Sequence, residues 1–307
     1  MKIAMLFANW IKYGEQWSTP MTIVDELKNR GHDVTIYNLY HADGWMSNKE
    51  PRKYSDEGFN KLYQDSKNNP YDVIMVMDYG PWQSFNLNKK NFPNSILIKE
   101  CGDEPQAYKL HSQTARLFDI VLTPDYRCTQ HYVQNGINAK FWTHWANDLI
   151  FKEYPDIQPT FDCVTTCGGR GPITEILAKE PSIKFNNERY FYGHDHAQRF
   201  NMGKLVFQKS QHGEITRRIF EGMACKRAVI TDRLDDNTLL SSLFKENESI
   251  IFYDSPQDAI EKIKYYANNE TERNKIAMNG YNEVMQKHTT KIRVDQLEQY
   301  IFEKIES

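Results

Sequence analysis

Residues 213–232 read GEITRRIFEGMACKRAVITD, and they set two carboxylates and two guanidiniums just ahead of a buried strand. Side chains three and four apart share a helix face. A helix that starts at Gly213 or Glu214 therefore lines up Glu214, Arg217, Arg218 and Glu221 as one polar wall, with Ile219, Met223 and Ala224 turned to the core. Guanidiniums suit an anion, and carboxylate oxygens accept hydrogen bonds from hydroxyls. A solvated face with intrahelical ion pairs is the other reading. The helix leads at once into an apolar run at 228–230, so it must itself be packed, which favours a wall that meets a ligand. Lys209, Ser210, His212 and Gly213 lie in the loop that enters it.

Three further stretches carry candidate chemistry. CGGRG at 167–171 places Gly168, Gly169 and Arg170 between a strand and a helix. Glycines let backbone N–H groups approach a phosphate at a helix N-terminus, and Arg170 adds a charged donor. A plain tight turn fits the same letters. CGDEPQAY at 101–108 puts Asp103 and Glu104 at the carboxyl end of a strand, where either carboxylate can take a proton from a hydroxyl. Asp103 as an N-cap ahead of Pro105 is the equal alternative. GHDH at 193–196 resembles a metal motif, but no third ligand follows. Gly193 is read instead as part of a loop bordering the wall, and no metal is expected.

The elements that must position these residues follow a strand–helix rhythm. Apolar runs at 2–8, 33–40, 71–80, 95–105, 118–125 and 139–145 read as strands. The segment after Ser18, with Met21, Ile23, Val24 and Leu27 and a stop at Gly31, reads as a helix. Stretch 43–69 is either an insertion or a plain helix at EGFNKLYQDSKN. The rhythm restarts at Phe161, with strands at 188–195, 204–210, 227–232 and 249–254 and helices at 256–268, 271–287 and 292–305. Segment 147–160, with two prolines, reads as the linker. This is α/β architecture, two Rossmann-like doubly wound halves with a ligand cleft between them.

Composition allows an ordinary globular chain. The 307 residues carry a formal charge of −3, with 40% hydrophobic and 26% charged residues, so nothing demands a nucleic acid or a membrane surface. Five cysteines without a CxxC read as reduced, mostly buried thiols. The short apolar start breaks at Asn9 and no long apolar run follows, so the chain is expected to be cytoplasmic with no membrane span.

The stretch RRIFEGMACKRAVITD and the residues that follow it resemble the C-terminal domain of GT-B glycosyltransferases, and most of all the CgeB-like (spore-maturation) group. The matching positions are Arg218, Glu221, Ala224, Cys225, Thr231, Asp232, Gly280, His288, Thr289 and Arg293. The resemblance covers most of the chain but is specific only from Arg217 to Asp232. Lys226 stands where that pattern has glycine.

The resemblance implies an acceptor-binding domain at 1–148, a nucleotide-sugar domain at 149–288, and a terminal helix at 289–307 that crosses back. It implies transfer of a sugar, hexosyl or pentosyl, from a nucleotide sugar such as a UDP-sugar to an acceptor hydroxyl. The nucleotide sugar is a co-substrate, and no cofactor is expected. Glu221 would bind the ribose hydroxyls. Arg170, Arg217 or Arg218, with the N–H groups near Gly213, would hold the diphosphate. Gly168, Gly169, Gly193, Lys209, His212 and Glu214 would line the donor site. Asp103 or Glu104 would serve as base, and Tyr13, Gly14, Glu15 and Trp17 would touch the acceptor. The absence of a DxD triplet argues against the metal-dependent architecture. The acceptor is a polysaccharide, a protein or a hydroxylated DNA base. The rival reading is a catalytically silent nucleotide or nucleotide-sugar binder.

Overall fold

The computed structural model describes residues 1–7, 19–38, 57–77, 86–166, 171–188 and 193–307. The chain divides into two compact units, one of Met1–Thr143 with Arg293–Ser307 and one of His144–Ile292.

The first unit is built on β1 (Lys2–Phe7), β2 (Asp33–Asn38), β3 (Val73–Met77), β4 (Ile96–Glu100), β5 (Ile120–Thr123) and β6 (Ala139–Phe141). They form one sheet in the order β2-β1-β3-β4-β5-β6, and every pairing is parallel. The inner strands β3 and β5 are buried at every position, as befits a sheet covered by helices on both faces. The helices are α1 (Thr19–Asn29), α2 (Glu57–Asn68), α3 (Tyr108–His111) and α4 (Tyr126–Gln134). α1 buries Met21, Ile23, Val24 and Leu27 as its spacing requires, and Gly31 ends the turn with φ 83°, where a side chain would be strained. EGFNKLYQDSKN is the plain helix α2.

The second unit holds β7 (Phe161–Val164), β8 (Phe185–Asn186), β9 (Gly203–Gln208), β10 (Ala228–Asp232) and β11 (Ile251–Tyr253), all parallel, in the order β11-β10-β9-β7-β8. Its helices are α5 (Pro172–Lys179), α6 (Gly193–Asn201), α7 (Arg217–Ala224), α8 (Leu240–Leu243), α9 (Pro256–Asn268) and α10 (Glu270–Lys287). Ser255 caps α9 by accepting from the Asp258 N–H, ahead of Pro256 in the first turn. Two glycines let α7 pack closely. A Cβ on Gly222 would meet Val206 and Val229 at 3.1 Å, and one on Gly280 of α10 would meet the Ser249 carbonyl at 2.8 Å and Met223 at 3.2 Å.

Both sheets share one plan, in which the first strand of each unit lies between its second and third. The strand order reverses between β1 and β3 in one unit and between β7 and β9 in the other. Such switch points open a crevice beyond the carboxyl ends of the strands.

The terminal helix α11 (Thr290–Glu306) buries Val294, Leu297 and Ile301. Its residues in the first unit are also held by charge. Arg30 pairs with Glu298 at 2.6 Å and Asp295 at 2.7 Å, and His32 meets Glu298 at 2.7 Å. The buried Arg293 donates to the Thr143 carbonyl at 2.8 Å, and Trp142 donates to the Arg293 carbonyl at 3.2 Å.

Three expectations change. The strand expected at 188–195 does not form among its described residues: Gly193 to Asp195 open α6, and the edge strand is the two-residue β8. The supposed linker at 147–160 is packed, with Ile150 and Phe151 buried in the second unit's core. Asn201 ties it down by donating to the Lys152 carbonyl and accepting from the Tyr154 N–H. Finally, α7 begins at Arg217 rather than at 213–214. The described cysteines Cys101, Cys128, Cys163 and Cys225 are buried. Among the described residues no helix is long and apolar enough to cross a membrane.

Candidate functional site

The loop between β9 and α7 is fixed by its own side chains. Asp232, at the carboxyl end of the neighbouring β10, accepts from the Ser210 N–H at 2.9 Å and the Ser210 hydroxyl at 2.5 Å, and Lys209 reaches it at 3.3 Å. Gly213 takes φ 69°, a value that favours glycine. Glu214 turns back on the loop and accepts from the backbone N–H groups of His212 at 2.6 Å and Gln211 at 3.1 Å. This corrects the expected wall. Glu214 is spent on the loop and lies before the helix, so the helical polar residues are Arg217, Arg218 and Glu221. Thr216 is the N-cap residue, with extended backbone and no side-chain cap.

Glu221 is only 7% exposed, and its carboxylate forms no hydrogen bond among the described residues. Burial pushes its carboxyl up from 4.5, against the pull of Arg217 and Arg218. The two arginines are half-buried, and each has a buried Nε without a hydrogen-bond partner. His196 completes the group. It meets the Thr166 hydroxyl at 2.7 Å, just past the end of β7, and its ring lies 4.5 Å from Phe200 and 5.3 Å from Phe151. The residue keeps some exposure, but its ring is enclosed. Burial first, then Arg218 and Arg217, holds its pKa down at about 3. Thr166, His196, Gly213, Arg217, Arg218 and Glu221 thus gather at the carboxyl ends of β7 and β9, at the switch point of the second sheet.

A neutral buried histidine has a stability signature. The unfolded chain binds a proton below about 6.5 and the folded one only near 3. Between those values the unfolded state holds more protons, so stability falls as pH falls. The melting temperature of the wild type should therefore drop more steeply from pH 6.5 to 4 than that of His196→Gln. Parallel curves would contradict the enclosed ring.

In the first unit, Asp103 and Glu104 part company. Asp103 is exposed, and its carbonyl accepts from the Ala107 N–H in a turn that follows β4. It does not cap α3, whose N-cap is Ala107. Glu104 is 3% exposed and points inward. Its carboxylate accepts from the hydroxyls of Thr123 and Tyr132 and meets His111 Nδ1 at 3.3 Å. Such a carboxylate joins β4, α3, β5 and α4, and it is not open to a substrate. Cys101, Glu104 and His111 are the one group among the described residues close enough to share a metal ion, within 4.8 Å of one another. All three are buried, and hydroxyl donors already engage Glu104, so hydrogen bonding accounts for the cluster.

Other expected positions are accounted for as follows. Gly193 opens α6 at φ 53°, His194 meets the Tyr154 hydroxyl at 2.7 Å, and His212 is exposed. Gly168, Gly169 and Arg170, and also Tyr13, Gly14, Glu15 and Trp17, lie outside the described residues. Lys226 adopts φ 54° in the turn that ends α7. The Arg227 N–H bonds back to the Gly222 carbonyl and the Lys226 N–H to the Met223 carbonyl, a Schellman closure that glycine usually makes. Thr166 and His196 carry no sequence signal for a place in this group. The histidine stands out in the sequence only as part of an apparent metal motif.

With this geometry in place, comparison with known proteins gives the class. The sucrose-phosphate synthase from Thermosynechococcus elongatus superposes with a TM-score of 0.72 at 11% identity, over 99% of this chain and 98% of that one. A glycosyltransferase from Rickettsia africae gives 0.68 at 12% identity, over 99% and 98%. Anabaena HepE in complex with UDP-glucose gives 0.64 at 12% identity, over 99% and 100%. The fold is that of the GT-B glycosyltransferases. Residues 156–299 match the family model described as glycosyl transferase-like. No curated protein matches the chain in sequence.

Proposed function

We propose that the protein is a glycosyltransferase that moves a sugar, hexosyl or pentosyl, from a UDP-sugar to an acceptor hydroxyl, and that it is related to the CgeB-like group. The observation that carries this reading is the buried carboxylate of Glu221 beside the two arginines at the β7–β9 switch point. Buried guanidinium N–H groups with no internal partner are costly unless a ligand engages them, and burial makes the nearby Glu221 carboxyl costly to ionise. A nucleoside diphosphate matches both, with ribose hydroxyls for Glu221 and phosphates for Arg217 and Arg218. That Anabaena HepE was solved with UDP-glucose supports uridine as the base.

On this reading Arg170 joins the diphosphate contacts, and cations fixed there stabilise the leaving group as its charge develops. Gly168, Gly169, Gly193, Lys209, His212 and Gly213 border the donor, while Glu214 acts indirectly by shaping the loop. Asp103 takes the acceptor proton, and Tyr13, Gly14, Glu15 and Trp17 meet the acceptor, which is a polysaccharide, a protein or a hydroxylated DNA base. His196 stays neutral in the free protein and donates or accepts through Thr166.

The test separates phosphate from nucleoside. Arg218→Gln should weaken UDP binding by roughly tenfold or more, since a charged hydrogen bond is lost. Uridine affinity should stay unchanged. An equal loss for both ligands in calorimetry would remove the diphosphate role. Turnover of a UDP-sugar separates this enzyme from a silent binder.

A further inference from the structure

The second unit has another concave site, at the opposite edge of its sheet. A cavity of about 370 Å³ is lined by Lys204 at the start of β9, Lys226 and Arg227 just before β10, Glu153, and Glu270 and Arg273 in the first turn of α10. These positions sit at the amino ends of the strands, whereas the candidate donor site sits at the carboxyl ends. The volume lies within the range of small-molecule sites, about 300–1,000 Å³.

Its charge is unevenly matched. Lys204 pairs with Asp162 and Lys226 with Glu153, each at 2.8 Å. Among the described residues the two guanidiniums have no carboxylate partner within hydrogen-bonding distance. Arg273, 9% exposed, donates only to the carbonyls of Tyr266 and Ala267 at the end of α9. Arg227 donates to the Asn201 side-chain carbonyl at 3.1 Å, and its Nε is buried with no partner. Burial lowers the pKa of both arginines, against weaker opposing pulls from Cys225 and Glu153 on Arg227 and from Glu270 and Asp162 on Arg273. Lys226 holds a left-handed conformation in which glycine is less strained. Keeping lysine there makes sense if its charge is used.

We propose that this cavity is a second anion site that binds a small ligand through a phosphoryl group, separate from the donor site. A phosphoryl oxygen set offers several acceptors to forked guanidinium donors, and a single carboxylate offers fewer. The inference stands apart from the proposed transferase activity, because it uses none of the donor residues.

Inorganic pyrophosphate is the probe, titrated calorimetrically into the full chain at low salt. Because the donor site also attracts phosphate, the titration is run in the Arg218→Gln background. Binding should persist there and should weaken as salt is added. Lys226→Gly and Arg227→Gln, added to that background, should each cut the remaining affinity by roughly tenfold. Lys226→Gly relieves backbone strain but also removes the Glu153 ion pair, so the melting temperature of each variant is measured alongside to separate lost binding from unfolding. Loss of all pyrophosphate binding in Arg218→Gln, or unchanged affinity in both added variants, would overturn the site. UDP binding weakened by about tenfold in Arg218→Gln, with pyrophosphate binding retained, would support both sites. Retention of both would count against the donor assignment alone.

Discussion

Asp103→Asn will transfer sugar at roughly a hundredth of the wild-type rate or less, the usual worth of a general base, while it binds the donor as tightly as before. Asp103 follows the carboxyl end of β4, is exposed, and does not cap a helix. Asparagine keeps the size of the side chain but cannot take a proton. Because Asp103 supports no helix end, the melting temperature should stay near wild type. Single-turnover kinetics with a UDP-sugar, alongside calorimetric donor binding, measures the two effects separately. A full-rate Asp103→Asn enzyme would transfer the role to Glu15 or to a mechanism with no protein base. It would not transfer it to Glu104, whose carboxylate is sealed behind Thr123, Tyr132 and His111.

Glu221→Gln will show the opposite pattern, with weak donor binding and a more stable free protein. The affinity for UDP and uridine alike should fall by about tenfold or more, because the ribose loses a charged acceptor. The stability gain follows from the sign of the shift. Burial raises the carboxyl pKa above its ordinary 4.5, so the folded chain keeps its proton to higher pH than the unfolded chain. Stability is then lost as pH rises from 4.5 through the folded value, and the cost persists at neutral pH. Glutamine removes that charge. The melting temperature at pH 7.5 should rise by a few degrees, about what 1 kcal/mol is worth in a chain of this size. At about pH 4 the difference should shrink, because the carboxyl is then protonated in both states. A Glu221→Gln protein that is less stable at both pH values would mean that the carboxylate has an internal partner.

The amino-acid sequence by itself determines much of this protein. Helix α9 follows its expected span, and α2 settles 57–68 as the helical one of its two readings, because their causes are local: apolar spacing, and for α9 a Ser-Pro start. The parallel strands are short apolar runs that only a double layer of helices can cover, so the two Rossmann-like sheets are readable as well. Arg217, Arg218 and Glu221 stand out because charge ahead of a buried strand needs a reason. The tertiary structure decides the rest. Whether α7 begins at Gly213 or Arg217 depends on the Glu214 carboxylate, which two loop N–H groups capture. The edge strand β8 is two residues long, too short to leave a pattern. Asp103 and Glu104 are adjacent letters with opposite fates, and the partners that bury Glu104 come from 7, 19 and 28 residues away. His196 joins the site through Thr166, 30 residues earlier, and through two arginines later in the chain. Burial and pairing of charge are set by which segments the sheet order makes neighbours, and no local spacing encodes that.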